Sequence, residues 1–338
     1  MMDFKHGGDI WQFAKDNGFN IDEVVDLSSN INFIKPKINI DFNKLNISSY
    51  PNYNILKEVI AKNYSIDINQ FELFNGATSA IYSLFRELNL NSVTLYVPIY
   101  LEYKRCAILN GYRINYIDRF KNINQDIEKN SLVVFVNPST PDGEFYNIKP
   151  LLKLWIEKEA TILIDESFLE FTPFKSAIKY IREYKKLYIL KSMTKFYSSA
   201  GIRVGIIISN QNNIKRLKEK EPIWKISEFD SKYIELALKD SSFRDRTIGE
   251  NNKNRDRVIE ILKRVKYIDK IYKSDVNFIL IKLKDINSKE FQQILTPYKI
   301  LVRNCSNFDF LDSSFIRIAI KDSKSIDILE EALCMNFI

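Results

Sequence analysis

The chain has 338 residues, 45% hydrophobic and 28% charged, enough to bury the core of one large or two medium globular domains. Its 50 Lys and Arg against 43 Asp and Glu leave a net charge of +7, but the signs are interleaved (Lys218-Glu219-Lys220-Glu221; Arg255-Asp256-Arg257) rather than gathered in a basic stripe, which argues against nucleic acid as a partner. No run approaches the ~20 apolar residues of a membrane span, the opening Met1–His6 has no apolar leader core, and Cys106, Cys305 and Cys334 are too few and too far apart for a disulfide framework or metal cluster, so a cytoplasmic protein without a metal is expected.

In chain order, the first distinctive segment is His6-Gly7-Gly8, which holds the chain's one histidine. Residues 54–64 and 78–88 read as amphipathic helices. Short β-branched or apolar strands are expected at Val93–Val97, Arg113–Ile117, Leu132–Val136, Thr161–Ile164, Leu187–Leu190 and Val204–Ile208. Several of these strands are apolar throughout, as strands covered by helices on both faces are. The pattern predicts an α/β domain with a mainly parallel sheet. Beyond Ser209 a charged helical stretch over roughly 226–265 precedes strands near 277–283, 298–302 and 315–320 and a last helix from about 322, which reads as a smaller C-terminal α+β domain.

In open α/β sheets ligands gather at the carboxyl ends of strands. Asn137 follows Leu132–Val136 and opens Asn137-Pro138-Ser139-Thr140-Pro141-Asp142-Gly143. Asp165 follows Thr161–Ile164, and Lys195 follows the next strand in Ser192-Met193-Thr194-Lys195. The three are 28 and 30 residues apart, each step the length of one β-α unit. An acid that keeps a ring nitrogen protonated, an amide for a phenolate oxygen and an amine for an aldehyde make a set suited to pyridoxal phosphate (PLP). The small-residue turn Ser198-Ser199-Ala200-Gly201, with Arg203 and Gly205 beyond it, supplies a cradle for an anion.

Over nearly its whole length the chain resembles fold-type I PLP-dependent enzymes of the histidinol-phosphate aminotransferase class. In that resemblance the turn Asn75-Gly76-Ala77-Thr78-Ser79 holds the cofactor phosphate at a helix start, helped by Ser192, Thr194 and Arg203. Tyr50, in Tyr50-Pro51, would reach the cofactor phosphate of a partner subunit, which implies a homodimer. Pro98–Tyr103 would supply the ring that stacks on the cofactor, with Tyr103 preferred over Tyr100. Arg317, in Phe315-Ile316-Arg317-Ile318-Ala319, matches the arginine that forks onto the substrate α-carboxylate.

Three stretches are closer to the threonine-phosphate decarboxylases of cobalamin biosynthesis: His6-Gly7-Gly8-Asp9-Ile10, Asp26-Leu27-Ser28-Ser29-Asn30-Ile31-Asn32, and Ile300-Leu301-Val302-Arg303-Asn304-Cys305-Ser306-Asn307-Phe308. The resemblance implies a substrate site drawn from His6, Gly7, Asn30, Arg303 and Arg317, with Arg303 taking the substrate's second anion. Phe168 stands where aminotransferases place a tyrosine that donates to the phenolate oxygen, a contact phenylalanine lacks. The expected layout is an N-terminal arm over 1–35, a PLP-binding domain over 36–225 and a small domain over 226–338. The expected activity is decarboxylation of O-phospho-L-serine or O-phospho-L-threonine, with an aminotransferase acting on a phosphorylated substrate as the alternative.

Overall fold

The computed structural model describes residues 8–337. The chain enters through helix α1 (Ile10–Asn17) and strand β1 (Val25–Asp26), and then forms helix α2 (Asn54–Tyr64). Strand β2 (Phe71–Asn75) runs directly into α3 (Gly76–Leu88), followed by β3 (Ser92–Val97), α4 (Leu101–Leu109), β4 (Arg113–Asp118), β5 (Leu132–Val136), α5 (Lys149–Glu157) and β6 (Thr161–Asp165). Next come β7 (Leu187–Ser192), the single turn α6 (Met193–Phe196), β8 (Val204–Ile208), α7 (Gln211–Glu219), α8 (Glu228–Lys239) and α9 (Phe243–Leu262). The chain ends with β9 (Ile268–Ile271), β10 (Phe278–Leu283), α10 (Ser288–Leu295), β11 (Ile300–Leu301), β12 (Arg303–Asn304), β13 (Phe315–Ala319) and α11 (Ser323–Phe337).

The six strands expected in the first domain form within a residue or two of their predicted ends, because most are runs of apolar residues and all carry β-branched ones. They join a seven-stranded sheet in the order β2-β8-β7-β6-β5-β3-β4. Pairing is parallel from β7 through to β4, whereas β8 runs antiparallel to both β7 and β2. Alternate residues of one strand feed opposite layers: Ile162 and Ile164 pack in the cluster with Trp155 and Phe171, while Leu163 packs in the cluster with Ile81 and Leu84. With both faces covered, the functional groups are left to the strand ends.

The smaller unit is a four-stranded antiparallel sheet, β12-β13-β10-β9, packed on α9, α10 and α11. The N-terminal arm is built into it. β1 pairs in parallel with β11, Leu27 lies in the small core, and its carbonyl accepts from Ala319 N at 2.7 Å. The single helical stretch expected over 226–265 is two helices, parted at Asp240-Ser241-Ser242, whose short polar side chains compete with helical hydrogen bonding. Ile234 and Ala237 of α8 and Phe243 at the start of α9 lie in the large domain's core, so the crossover to the small domain runs along α9 rather than at residue 226. No helix among the described residues is long and apolar enough to cross a membrane.

Candidate active site

A cavity of about 320 Å³ opens at the carboxyl ends of β6 and β7, between the two domains. Asp165 closes β6 and is buried. Its Oδ2 accepts from the Tyr103 hydroxyl at 2.8 Å, and its Oδ1 accepts from both the backbone N–H and the hydroxyl of Ser167. Burial pushes the Asp165 pKa up, against the pull of these Ser167 and Tyr103 hydrogen bonds. Lys195 lies in α6, one turn past the end of β7. Burial, reinforced by the positive charge of Arg317 and Arg203, brings its amine down to about 8, and Asp165 opposes the shift.

Opposite Lys195 lies the start of α3, where exposed backbone N–H groups and the helix dipole favour an anion. Two glycines allow the close packing there. Gly76 has φ +77°, and a Cβ on it would stand 2.4 Å from the Arg203 guanidinium. A Cβ on Gly205 of β8 would stand 2.5 Å from Ala77 N. Ala77, Thr78, Ser192, Thr194 and Arg203 all line the cavity, and the Ser192 and Thr194 hydroxyls lie 2.8 Å apart. A cationic, hydroxyl-rich cradle beside a lysine and an aspartate is the donor set that a phosphorylated aldehyde with a ring nitrogen needs. Pyridoxal phosphate is the cofactor this site is built to hold.

On the small-domain side, Arg303 and Arg317 are directly paired across β12 and β13, which places their side chains on one face. Both line the cavity. Arg317 donates to the Thr140 hydroxyl at 3.3 Å and the Ser28 carbonyl at 3.1 Å, and lies 4.9 Å from the centroid of Phe278. Its Nε is buried without a partner, and burial brings its pKa down to about 10, offset in part by Cys305. Arg303 donates to Asn307 Oδ1 at 2.8 Å and lies over Phe308. These guanidiniums end on neutral acceptors, which suits them to external anions.

Asn30 and Gly8 also line the cavity, and the Asn30 carbonyl is fixed by Asn277 Nδ2 at 2.9 Å. His6 and Gly7 lie outside the described residues. Tyr50 is exposed, away from the cavity, with its ring stacked on Trp224 at 3.9 Å.

One expectation is overturned. Tyr103 is fully buried behind Asp165, and of the two tyrosines it is Tyr100 that lines the cavity, its hydroxyl 3.5 Å from Thr78 Oγ1. The residues are three positions apart around the start of α4, and only the helix's orientation on the sheet decides which faces the opening. Asn137 is oriented by backbone: its Oδ1 accepts from Tyr146 N and its Nδ2 donates one proton to Tyr146 O, which leaves the second Nδ2 proton for an acceptor. Thr140, three residues on, lines the cavity. The sequence offered one hint, a hydroxyl residue set between Pro138 and Pro141 in a turn.

A larger cleft of about 580 Å³ lies near the end of α2, but its buried cation is already neutralised: Lys191 pairs with Glu166 at 2.8 Å and Glu170 at 3.2 Å. It offers no reactive group comparable to Lys195.

Residues 24–333 match the family Aminotransferase class I and II. A protein of Caldanaerobacter subterraneus subsp. tengcongensis, provisionally named a threonine-phosphate decarboxylase, is 30% identical over 98% of this chain and 94% of its own length. The crystal structure of the histidinol-phosphate aminotransferase from Clostridium acetobutylicum aligns with a TM-score of 0.79 and 31% identity, over 91% of this chain and 97% of that one. That of the L-threonine-O-3-phosphate decarboxylase from Porphyromonas gingivalis aligns at 0.78 and 22% identity, over 92% and 99%. With its fold, its cofactor cradle and a match over most of its length, the chain belongs to the aminotransferase class I and II family.

Proposed function

We propose that this protein is a PLP-dependent decarboxylase of an O-phospho-L-hydroxyamino acid, O-phospho-L-serine or O-phospho-L-threonine, releasing CO2 and the amine phosphate. The observation that carries the reading is the pair Arg303 and Arg317, side by side on one sheet face and turned into one small cavity. An O-phosphoamino acid has two anions a few bonds apart, carboxylate and phosphate, one for each guanidinium. Histidinol phosphate has a phosphate and no carboxylate. The hydroxyl-free Phe168 in the cavity wall and the match to a decarboxylase relative support the same reading.

Bound here, PLP supplies a conjugated ring that takes up the electron pair left on Cα when a bond to that carbon breaks. The protein's share is positioning and proton handling. Arg317 would grip the carboxylate and Arg303 the phosphate, so that the two guanidiniums together would fix which Cα bond is presented for cleavage. Asp165, held by Ser167 and Tyr103, would be the carboxylate for the ring nitrogen. Tyr100, which lines the cavity, would supply the aromatic contact to the ring. Lys195, whose amine is brought down to about 8, would be the group that holds the cofactor aldehyde and, once displaced by the substrate's amine, the group placed to carry a proton at Nζ.

The expected assembly is a homodimer in which Tyr50 reaches the partner's cofactor phosphate. Its exposed stack on Trp224, beside exposed Ile47 and Ile223, supports this arrangement. The test of the activity is to incubate holoenzyme with each phosphoamino acid, with and without 2-oxoglutarate, and follow CO2 and amine phosphate. CO2 without keto acid is expected. Amino transfer to 2-oxoglutarate with no CO2 would overturn the proposal in favour of an aminotransferase.

A further inference from the structure

Arg303 belongs to the small domain, and the segment that follows it reaches back across the cavity to the large domain. Asn307 holds the Arg303 guanidinium at 2.8 Å, and Phe308 lies beneath it and lines the cavity. Next along the chain, Asp309 accepts from Lys104 Nζ at 2.5 Å, and Phe310 meets the edge of Tyr116 with ring centroids 6.3 Å apart. Lys104 lies in α4, on the turn that also carries Tyr100 at the cavity and Tyr103 against Asp165. One ion pair therefore joins the helix that begins just after Tyr100 to the segment that presents the cavity's second guanidinium.

The pair is mostly withdrawn from solvent, with side-chain exposures of 20% and 21%, and Asp309 Oδ2 is buried with no partner at all. A half-satisfied buried carboxylate is costly to maintain, and a buried ion pair gains little net stability over apolar packing. Its geometry, by contrast, is specific, because a carboxylate left without its ammonium would draw the segment out to water. The contact thus fixes position more than it adds stability.

We propose that Lys104–Asp309 is a positioning pair for the distal anion site: it ties the Arg303–Phe308 segment to α4 and so sets the Arg303 guanidinium at the depth where the substrate's phosphate lies. The assignment rests on the reading of Arg303 as the phosphate contact. It predicts a selective defect. In Lys104→Met or Asp309→Asn, the substrate's phosphate loses its grip while the Arg317 carboxylate site stays intact.

The test uses holoenzyme and two readouts. Amide hydrogen exchange over residues 304–311 is expected to quicken in Lys104→Met and Asp309→Asn and to slow again in the charge-exchanged Lys104→Glu/Asp309→Lys protein. Spectroscopic titration is expected to show roughly tenfold weaker binding of O-phospho-L-threonine, the factor a partly buried ion pair commands, with binding of L-threonine unchanged. Unchanged exchange in both single variants overturns the tie itself. Equal losses for phosphorylated and unphosphorylated ligands overturn the link to Arg303. A wild-type protein that binds neither O-phospho-L-threonine nor O-phospho-L-serine sinks the proposed function instead, and the exchange measurement then decides the pairing alone.

Discussion

Lys195 is the residue on which the chemistry converges, and its acidity follows from its surroundings. With the amine brought down to about 8 by burial and by Arg317 and Arg203, roughly a quarter of it is neutral at pH 7.5, against about one part in a thousand for an ordinary lysine. The shift has a cost in the apoprotein. Because the folded pKa lies below the usual 10.5, the unfolded chain binds more protons between the two values and stability rises with pH across that window. The penalty is fully present below about 8 and vanishes above 10.5. Apo Lys195→Met is therefore expected to melt a few degrees above the wild-type apoprotein at pH 7, a margin that shrinks as the pH approaches 10.5. Calorimetry on both proteins across that range is the check, and a margin independent of pH would contradict this origin. Tyr103 acts one contact further out. Removing its hydroxyl takes a hydrogen bond worth about 1.5–3 kcal/mol from the buried Asp165 carboxylate. Tyr103→Phe should therefore move the acid limb of kcat/KM upward by about one to two pH units, as a pH–rate profile would show.

The elements place these residues through close backbone packing. The start of α3 lies against β8 because Gly205 has no side chain: its Cβ would meet backbone, Ala77 N, at 2.5 Å. Backbone cannot swing aside, so Gly205→Ala should destabilise the protein by about 1–3 kcal/mol and weaken cofactor retention together. Gly249 is the contrasting case, exposed on α9 with open space around it. Gly249→Ala should add about 0.5–1 kcal/mol of stability and leave the cofactor untouched. Thermal melts and cofactor titration of the two variants separate these outcomes. The elements were also the part most open to reading from sequence. β5, β6 and β7 each carry an apolar run such as Leu132–Val136 that gives way to a polar residue, and where such a run stops is a local property. β2 is not among the strands the sequence predicts, because Phe71–Asn75 is stabilised by antiparallel pairing with β8, about 130 residues away in the chain.

At the scale of the whole molecule, the proposed homodimer would cover the exposed surface around Tyr50 and Trp224. The proposed dimer predicts that sedimentation equilibrium gives twice the chain mass, and that Tyr50→Phe retains that mass but loses cofactor more readily on dialysis; a monomeric wild type would contradict it. The cofactor chemistry is legible in the sequence alone: Asp165 closes a strand and Lys195 lies one turn past the next, both marked by where apolar runs stop, and the helix start at Gly76 is equally local. The tertiary structure decided which neighbours face inward. Tyr100 rather than Tyr103 reaches the cavity, Thr140 rather than Asn137 lines it, and Arg303 is set opposite Arg317 and steadied by Lys104 through Asp309. Each of those outcomes turns on how a helix is rotated on the sheet, how a turn folds back, or which strands pair. These are fixed by packing between segments as much as 200 residues apart, a distance over which periodicity and spacing carry no signal.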